Sequence, residues 1–120
     1  MRVFVRSVPN YALTGVIEIR VEADTMDTAL SKTEIDNDFC IVTRWTFPPG
    51  SATGWHRHEK DYVVVPTIAG VLTLLHPDGS TTDNQISVGV PYARQIGVEH
   101  DVQNRTDSVV EFLEIEVKPA

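Results

Sequence analysis

Gly50-Ser-Ala-Thr-Gly-Trp-His56-Arg-His58-Glu-Lys-Asp61-Tyr62-Val-Val-Val-Pro-Thr-Ile-Ala-Gly70 is the stretch that decides the fold. Its two histidines are separated by one residue, and residues i and i+2 of a β-strand point to the same face of a sheet. His56 and His58 therefore offer two imidazoles to one point in space. Because neutral imidazole nitrogens bind divalent transition metals, the spacing predicts a metal site, with His100 as the third ligand.

The chain around this stretch has the pattern of short strands with Gly and Pro at the corners. Residues 24–38 are polar and are expected to form a loop, with room for a short helical turn around 25–31. Pro66 is expected to end one strand, and Pro77-Asp78-Gly79-Ser80 is typical of a hairpin turn. Strands are predicted over residues 2–6, 14–22, 39–47, 62–65, 71–76, 81–88, 92–96, 98–103 and 109–117. No segment of adequate length has helical periodicity, so the pattern predicts an all-β barrel or a double-sheet jelly roll.

Length, charge and cysteine content exclude several classes of function. A chain of 120 residues is expected to form one domain with its own core. The formal net charge is −7, and an acidic surface without clustered Lys and Arg is a poor partner for nucleic acid. The single Cys40 has no partner for an internal disulfide. The first residues lack the pattern of a signal peptide or a membrane span, so we expect a cytoplasmic protein.

Two blocks of the chain resemble the two sequence motifs of the cupin family. The first is a Gly, five residues, His-x-His, three or four residues, a Glu, six residues and a Gly. The second is a Gly, five residues, a Pro-x-Gly position, two residues, a His, three residues and an Asn. A hairpin separates the blocks, as in that family, and the resemblance covers roughly residues 39–117. Matching positions are Gly50, His56, His58 and Gly70 in the first block, and Gly89, Gln95 (in place of the Pro), Gly97, His100 and Asn104 in the second.

The resemblance implies an all-β, double-stranded β-helix (jelly-roll) barrel over residues 39–120. Residues 1–38 are then expected to supply N-terminal strands and a loop that pack on the barrel or on a partner subunit. The alternating strand predicted at 14–22 has no obvious partner within the chain, which favours a homodimer. The resemblance also implies that His56, His58 and His100 are the ligands of a divalent transition metal such as Fe, Mn, Zn or Ni.

One residue of the first motif is missing, because the cupin pattern has a Glu three or four residues after His-x-His. Position 62 is Tyr and position 63 is Val in this chain. Tyr62 shares the face of the histidines if the strand register is unbroken. Asp61 is the better metal ligand chemically and would reach the site through a one-residue bulge. A third alternative is that water fills the position, and the sequence leaves all three open.

Three further residues are candidates for binding a substrate. Arg94 and Arg44 have guanidinium groups that can hold a carboxylate in a bidentate manner, although a salt bridge is the alternative for each. Arg44 lies inside the barrel only if Val42 and Thr46 also face inward. Trp55, next to His56, is a candidate for lining the barrel mouth. His76 belongs to neither motif and is interpreted as a surface residue.

The resemblance implies a function at the level of reaction class. Dioxygenation, decarboxylation and isomerisation all occur on this fold, with Tyr62 or Asp61 as a ligand or proton carrier. The wording of residues 53–66 is also similar to that of small single-domain cupins named β-alanine degradation proteins, which indicates a small organic acid or amino-acid-derived metabolite. The alternative is a non-enzymatic module that binds a metal or a small-molecule ligand.

Overall fold

A computed structural model describes residues Val5–Val8, Glu18–Val21 and 25–120 of the chain. All regular structure within these ranges is β-structure, which confirms the predicted fold class. No helix in the described ranges is long and apolar enough to cross a membrane. The strands are β1 (Val5–Val8), β2 (Glu18–Val21), β3 (Asp27–Thr28), β4 (Leu30–Asp36), β5 (Cys40–Phe47), β6 (Ser51–Ala52), β7 (His56–Arg57), β8 (Tyr62–Ile68), β9 (Gly70–Leu75), β10 (Thr81–Ile86), β11 (Tyr92–Arg94), β12 (Glu99–Gln103) and β13 (Val110–Val117).

Two large sheets form a double-stranded β-helix. A five-stranded sheet has the order β11-β8-β13-β5-β4, and all its neighbours are antiparallel. A six-stranded sheet has the order β10-β9-β12-β6-β3, with β7 also paired to β12. Only the short β3–β6 pair among the described strands is parallel. The first motif spans β7 and β8 and the second spans β11 and β12, so each motif contributes to both walls of the barrel.

The core lies between these sheets and follows the alternation of the strands. Phe47, Val64 and Val110 come from the five-stranded sheet, and Leu72 and Val102 come from the six-stranded sheet. All five are at most 6% exposed. Since inward residues alternate with outward ones along each strand, the same parity decides which polar side chains enter the barrel.

Two positions of the first motif require glycine, each for a different structural reason. Gly50 has a φ of 78°, a left-handed conformation that suits glycine at the turn after β5. Gly70 is required by close approach, because a Cβ atom built there would overlap the Val110 side chain of β13. Together these positions fix the turn that precedes the histidines and the packing of β9 against β13.

Asn104 of the second motif closes the end of the barrel next to β5. Its amide is fully buried and donates to the carbonyls of Phe47 and Ser108, both at 2.8 Å. Its Oδ1 accepts from the backbone N–H and the hydroxyl of Thr106. Every polar group of this side chain is therefore satisfied inside the protein.

The prediction of a loop over residues 24–38 is wrong, and so is the prediction of a helical turn within it. β3 pairs with β6, and β4 pairs with Cys40–Phe47 as the edge strand of the five-stranded sheet. All seven residues of β4 are exposed, so this strand has no buried face and no alternation of apolar residues to reveal it. The polar composition was therefore misleading.

Pro66 does not end its strand, because β8 continues to Ile68. The register between β8 and β13 shifts at Glu111/Phe112, so Pro66 lies at an irregularity where its missing N–H is tolerated.

The expectation that the strand at 14–22 has no partner in the chain is also wrong. β2 pairs with β1 in an antiparallel two-stranded sheet. The other residues of the predicted strands at 2–6 and 14–22 lie outside the described residues. Contact of residues 1–38 with a partner subunit stays a prediction.

Candidate metal centre

Three histidines from two neighbouring strands converge at one end of the barrel. His56 on β7 lies directly opposite His100 on β12. His58 follows β7, and its backbone continues the pairing: its N–H donates to Val98 O at 2.8 Å, and its carbonyl accepts from Gly97 N–H at 2.9 Å. The i, i+2 spacing thus places both imidazoles of the first motif beside the third.

The ring nitrogens have the separation that a shared metal ion requires. His58 Nε2 lies 3.1 Å from both His56 Nε2 and His100 Nε2. One candidate ligand atom from each ring lies within 4.8 Å of the others. Nitrogens bound about 2.0–2.1 Å from one ion at angles between octahedral and tetrahedral values are about 2.8–3.4 Å apart. The donor set therefore fits a divalent transition metal.

The protonation states also suit metal binding. His56 Nδ1 lies 2.9 Å from Gly54 O, which accepts a hydrogen bond only if Nδ1 carries the proton, and in the neutral ring of that tautomer Nε2 keeps its lone pair. Burial, followed by the charge of His56, lowers the pKa of His58 to about 4. The same causes lower the pKa of His100 to about 3. These two rings are neutral at pH 7, which is the form that binds metals.

Tyr62 lies in the barrel but contacts His58 through its ring. The two ring centroids are 3.9 Å apart with an interplanar angle of 17°, and Tyr62 is only 4% exposed. Burial and the negative charge of Glu114 raise the pKa of its phenol. The observed contact fixes the orientation of His58, and the phenol is held in its neutral form.

A cavity of about 150 Å³ opens beside the histidines. Both sheets contribute to it: the histidine wall comes from β7 and β12, and the opposite wall comes mainly from β5, β8, β11 and β13. Most of the lining is apolar, including Trp45, Leu72 and Phe112. The cavity is about the size of an engineered protein cavity that binds benzene, so it suits a small molecule.

Glu114 is the functional candidate that sequence reasoning missed. It lies on β13 and lines the cavity. Burial, with a smaller effect from Glu116, raises the pKa of its carboxyl to about 7. The signal was parity: Val110, Phe112 and Glu114 share one face of the strand, and the first two are buried.

Asp61 does not lie with the histidines. Its Oδ1 accepts a hydrogen bond from Ile96 N–H at 2.7 Å, in an exposed setting, and it is not among the residues that line the cavity. Strand β8 begins at Tyr62, so an uninterrupted register directs Tyr62 inward and leaves Asp61 at the strand entrance. The structure thus brings together Tyr62 and the histidines, and separates Asp61 from them.

The other candidate substrate-binding residues are distributed around the molecule. Arg44 lies on the outer face of the five-stranded sheet, where it binds Glu34 and Glu111. Trp55 is 52% exposed and does not line the cavity. Arg94 does line the cavity, with its guanidinium carbon 4.8 Å from the Tyr92 ring centroid. The structure therefore brings only Arg94 of these three to the cavity.

His76 is not the simple surface residue expected from its position. It lines the cavity beyond the three-histidine cluster, and its Nε2 lies 2.8 Å from Thr82 Oγ1. Asn84 and Tyr92 line the same region, and Asn84 Nδ2 donates to the Tyr92 hydroxyl at 3.3 Å. His76 and Asn84 belong to the variable hairpin between the two motif blocks, and Tyr92 occupies an unspecified position of the second block, so no motif marked these residues.

Comparisons with known proteins agree with the fold. A scan against protein-family models found no match. The chain is 44% identical over 90 residues to the β-alanine degradation protein BauB of Pseudomonas aeruginosa. The matched region covers 75% of this chain and 94% of that protein. The chain is also 29% identical over 86 residues to an oxalate-binding protein of Thermotoga maritima. That match covers 72% of this chain and 69% of that protein.

A solved structure is similar to this chain in both fold and sequence. A cupin domain from Bordetella pertussis Tohama I superposes with a TM-score of 0.76 at 47% identity, and the match covers 79% of this chain and 98% of that chain. With the barrel, the two motif blocks and the three converging histidines, these similarities establish that the chain belongs to the cupin superfamily, in the group that includes BauB.

Proposed function

We propose that the protein is a metal-dependent cupin enzyme that acts on a small organic acid or an amino-acid-derived metabolite. The observation that carries the proposal is the convergence of three imidazole nitrogens at metal-ligand separations beside a cavity. His56, His58 and His100 would hold the ion. A divalent metal with open coordination positions would supply a Lewis acid that binds a carboxylate or polarises a carbonyl.

The residues around the cavity support that substrate class. The volume suits a molecule about the size of benzene, and Arg94 adds a cation at its edge. The apolar walls exclude water, which strengthens the polar contacts that a bound acid makes. Tyr62 keeps His58 in place by ring stacking, and its neutral phenol retains a proton at the cavity wall.

The names of two relatives support the proposal at the level of chemistry. One relative is called a β-alanine degradation protein, and the other is called an oxalate-binding protein. Both names refer to small carboxylates, and the first refers to a breakdown process. We infer from them that a small carboxylate is the ligand of this chain too.

A second candidate function is a non-enzymatic module that binds a metal and a small carboxylate. Two observations favour it. The possible metal-binding group among the described residues contains histidines alone, without the expected carboxylate. One relative is named for binding and not for catalysis.

Metal analysis of protein purified without a chelating tag tests the proposal. We expect close to one transition-metal ion per chain, whichever of Fe, Mn, Zn or Ni it is. His100→Ala should reduce the content at least tenfold, because two imidazoles cannot replace three. His76→Ala is the matched control, since His76 lines the cavity but lies outside the cluster. Wild-type protein without stoichiometric metal after reconstitution would rule the proposal out.

A screen of small organic acids separates the two candidates. Turnover of one acid by metal-loaded protein, detected as product formation or oxygen uptake, supports an enzyme. Saturable binding without turnover across the screen supports the module.

The homodimer and the cytoplasmic location stay predictions. Sedimentation analysis of the full chain tests the homodimer.

A further inference from the structure

Glu114 places a carboxylate on the wall of the cavity that faces the histidines. The histidine strands β7 and β12 belong to the six-stranded sheet, whereas β13 belongs to the five-stranded sheet. Glu114 pairs across β13 with Val64 of β8 and Thr43 of β5, so it sits in the middle of its sheet. A ligand that reaches from the histidines to Glu114 must therefore cross the cavity from one sheet to the other.

This carboxylate has no protein partner within the part of the chain that the structure describes. No hydrogen bond or ion pair to its oxygens is found there, although Glu111, three residues earlier, has several. A largely buried carboxylate without a donor loses hydration that nothing replaces, at a cost of several kcal/mol when it is charged. A side chain in this state, with no partner among the described residues, is available to a group that enters the cavity.

None of the donors that line the cavity donates to Glu114 among the described residues. Arg94 Nη1 donates to Ala93 O at 2.9 Å, and its guanidinium lies over the Tyr92 ring. Asn84 Nδ2 donates to the Tyr92 hydroxyl. The remaining neighbours in the cavity include the apolar side chains Trp45 and Phe112. The Glu114 oxygens are therefore open to a donor carried by a ligand in the cavity.

We propose that Glu114 selects ligands that carry an amino or hydroxyl group at the end remote from the histidines. The proposal rests on the proposed function, because the carboxylate end of the ligand is taken to bind at the metal. The ligand class is then a short amino acid or hydroxy acid with its two groups at opposite ends. An acid of the same size with a methyl group at that end leaves the Glu114 oxygens without a donor and is rejected.

Three acids with the same number of non-hydrogen atoms test this inference: 3-hydroxypropanoate, 3-aminopropanoate and butanoate. Their affinities for zinc-loaded protein are measured by calorimetry at pH 8, where the Glu114 carboxyl is ionised. We expect the hydroxy or the amino acid to bind at least tenfold more tightly than butanoate. Glu114→Gln and Glu114→Leu should reduce that ratio to less than about threefold, with butanoate binding at least as tightly as before.

Glu111→Gln is the matched control, because it removes the same charge from the same strand on the outer face. It should leave the affinity ratio unchanged. Equal binding of the three acids to the wild type, no binding of any of them, or an unchanged ratio in both Glu114 variants overturns the inference. Zinc content is measured in parallel on every sample. Loss of zinc from the wild type is a failure of the proposed function, whereas full zinc occupancy without discrimination is a failure of this inference alone.

Discussion

Glu111 and Glu114 lie three residues apart on β13 and therefore face opposite sides of the same sheet. Glu111 points outward, where it accepts hydrogen bonds from Arg44, Thr46 and Thr67, each at 2.8 Å. The Thr46 hydrogen bond, with those of Thr67 and Arg44, lowers the pKa of its carboxyl. Glu114 points inward, and burial raises the pKa of its carboxyl to about 7.

The contrast separates a carboxylate that stabilises the barrel from one that is available to a ligand. Glu111 connects β13 to β5 and β8, so its partners hold neighbouring strands together. Glu114 contributes no such connection among the described residues and is destabilising in its charged form. Each of the following predictions tests this division between the outer and inner faces of the sheet.

The largest effect expected on stability comes from Glu114→Gln and depends on pH. The folded pKa is raised from 4.5 to about 7, so the folded protein binds more protons than the unfolded chain in that interval. Wild-type stability is therefore lost as pH rises from 4.5 to 7, by up to about 3 kcal/mol. Glu114→Gln lacks this loss.

Urea unfolding of metal-free wild type and Glu114→Gln at pH 4.5, 6, 7, 8 and 9 checks the prediction. The stability difference between them should grow in favour of the variant up to pH 7 and then stay constant. His58 and His100 titrate in both proteins, so their contributions cancel in the difference. A difference that does not vary with pH would mean that Glu114 is partnered and would remove the contrast with Glu111.

A smaller effect of opposite sign is expected from Glu111→Gln. The amide keeps one acceptor oxygen but turns its NH2 group towards donors, so the variant should lose about 1–2 kcal/mol at neutral pH. Since the pKa of Glu111 is lowered, the contribution is present above the unfolded pKa and disappears as pH falls through the folded one. Thermal unfolding at pH 7 and pH 3 measures this loss, and metal content should be unchanged.

The smallest effect is expected from Tyr62→Phe. The stacked ring on His58 is retained, and no hydrogen bond to the phenol oxygen is found within the described ranges. The free energy of unfolding should change by less than about 0.5 kcal/mol. Zinc affinity, measured by competition with a chromophoric chelator, should change less than about threefold. A tenfold loss of affinity would instead identify the phenol as a metal ligand.

The sequence predicted what depends on local spacing. The i, i+2 spacing predicted that His56 and His58 share one face, because a strand has a fixed period of two. The barrel and the third ligand, His100, were also implied by the resemblance of the glycine and histidine intervals to the cupin motifs. The same rule applied to β13 would have found Glu114 beside Phe112. The apolar composition of β13 as a whole does not show which face Glu114 occupies.

Other features depend on tertiary context that no local pattern carries. β4 is recognised only through its pairing with β5, since it buries neither face. Arg44 lies in a strand with hydrophobic residues on both faces, so the sequence does not show which face its side chain occupies. Its ion pair with Glu111 places it on the outer face. Pro66 is accepted inside β8 only because the partner strand β13 shifts register there.

The central position of β13 has a consequence for how the protein folds. Its partners β5 and β8 lie far away in the chain, with Val110 opposite Phe47 and Glu116 opposite Tyr62. Contacts of such long sequence separation require costly loop closure before they are rewarded, which places barrels of this kind among the millisecond-to-second folders. The wall that carries Tyr62 and Glu114 is complete only when β13 inserts between β8 and β5. Closure of the barrel and assembly of the ligand cavity are therefore expected to be one late kinetic event.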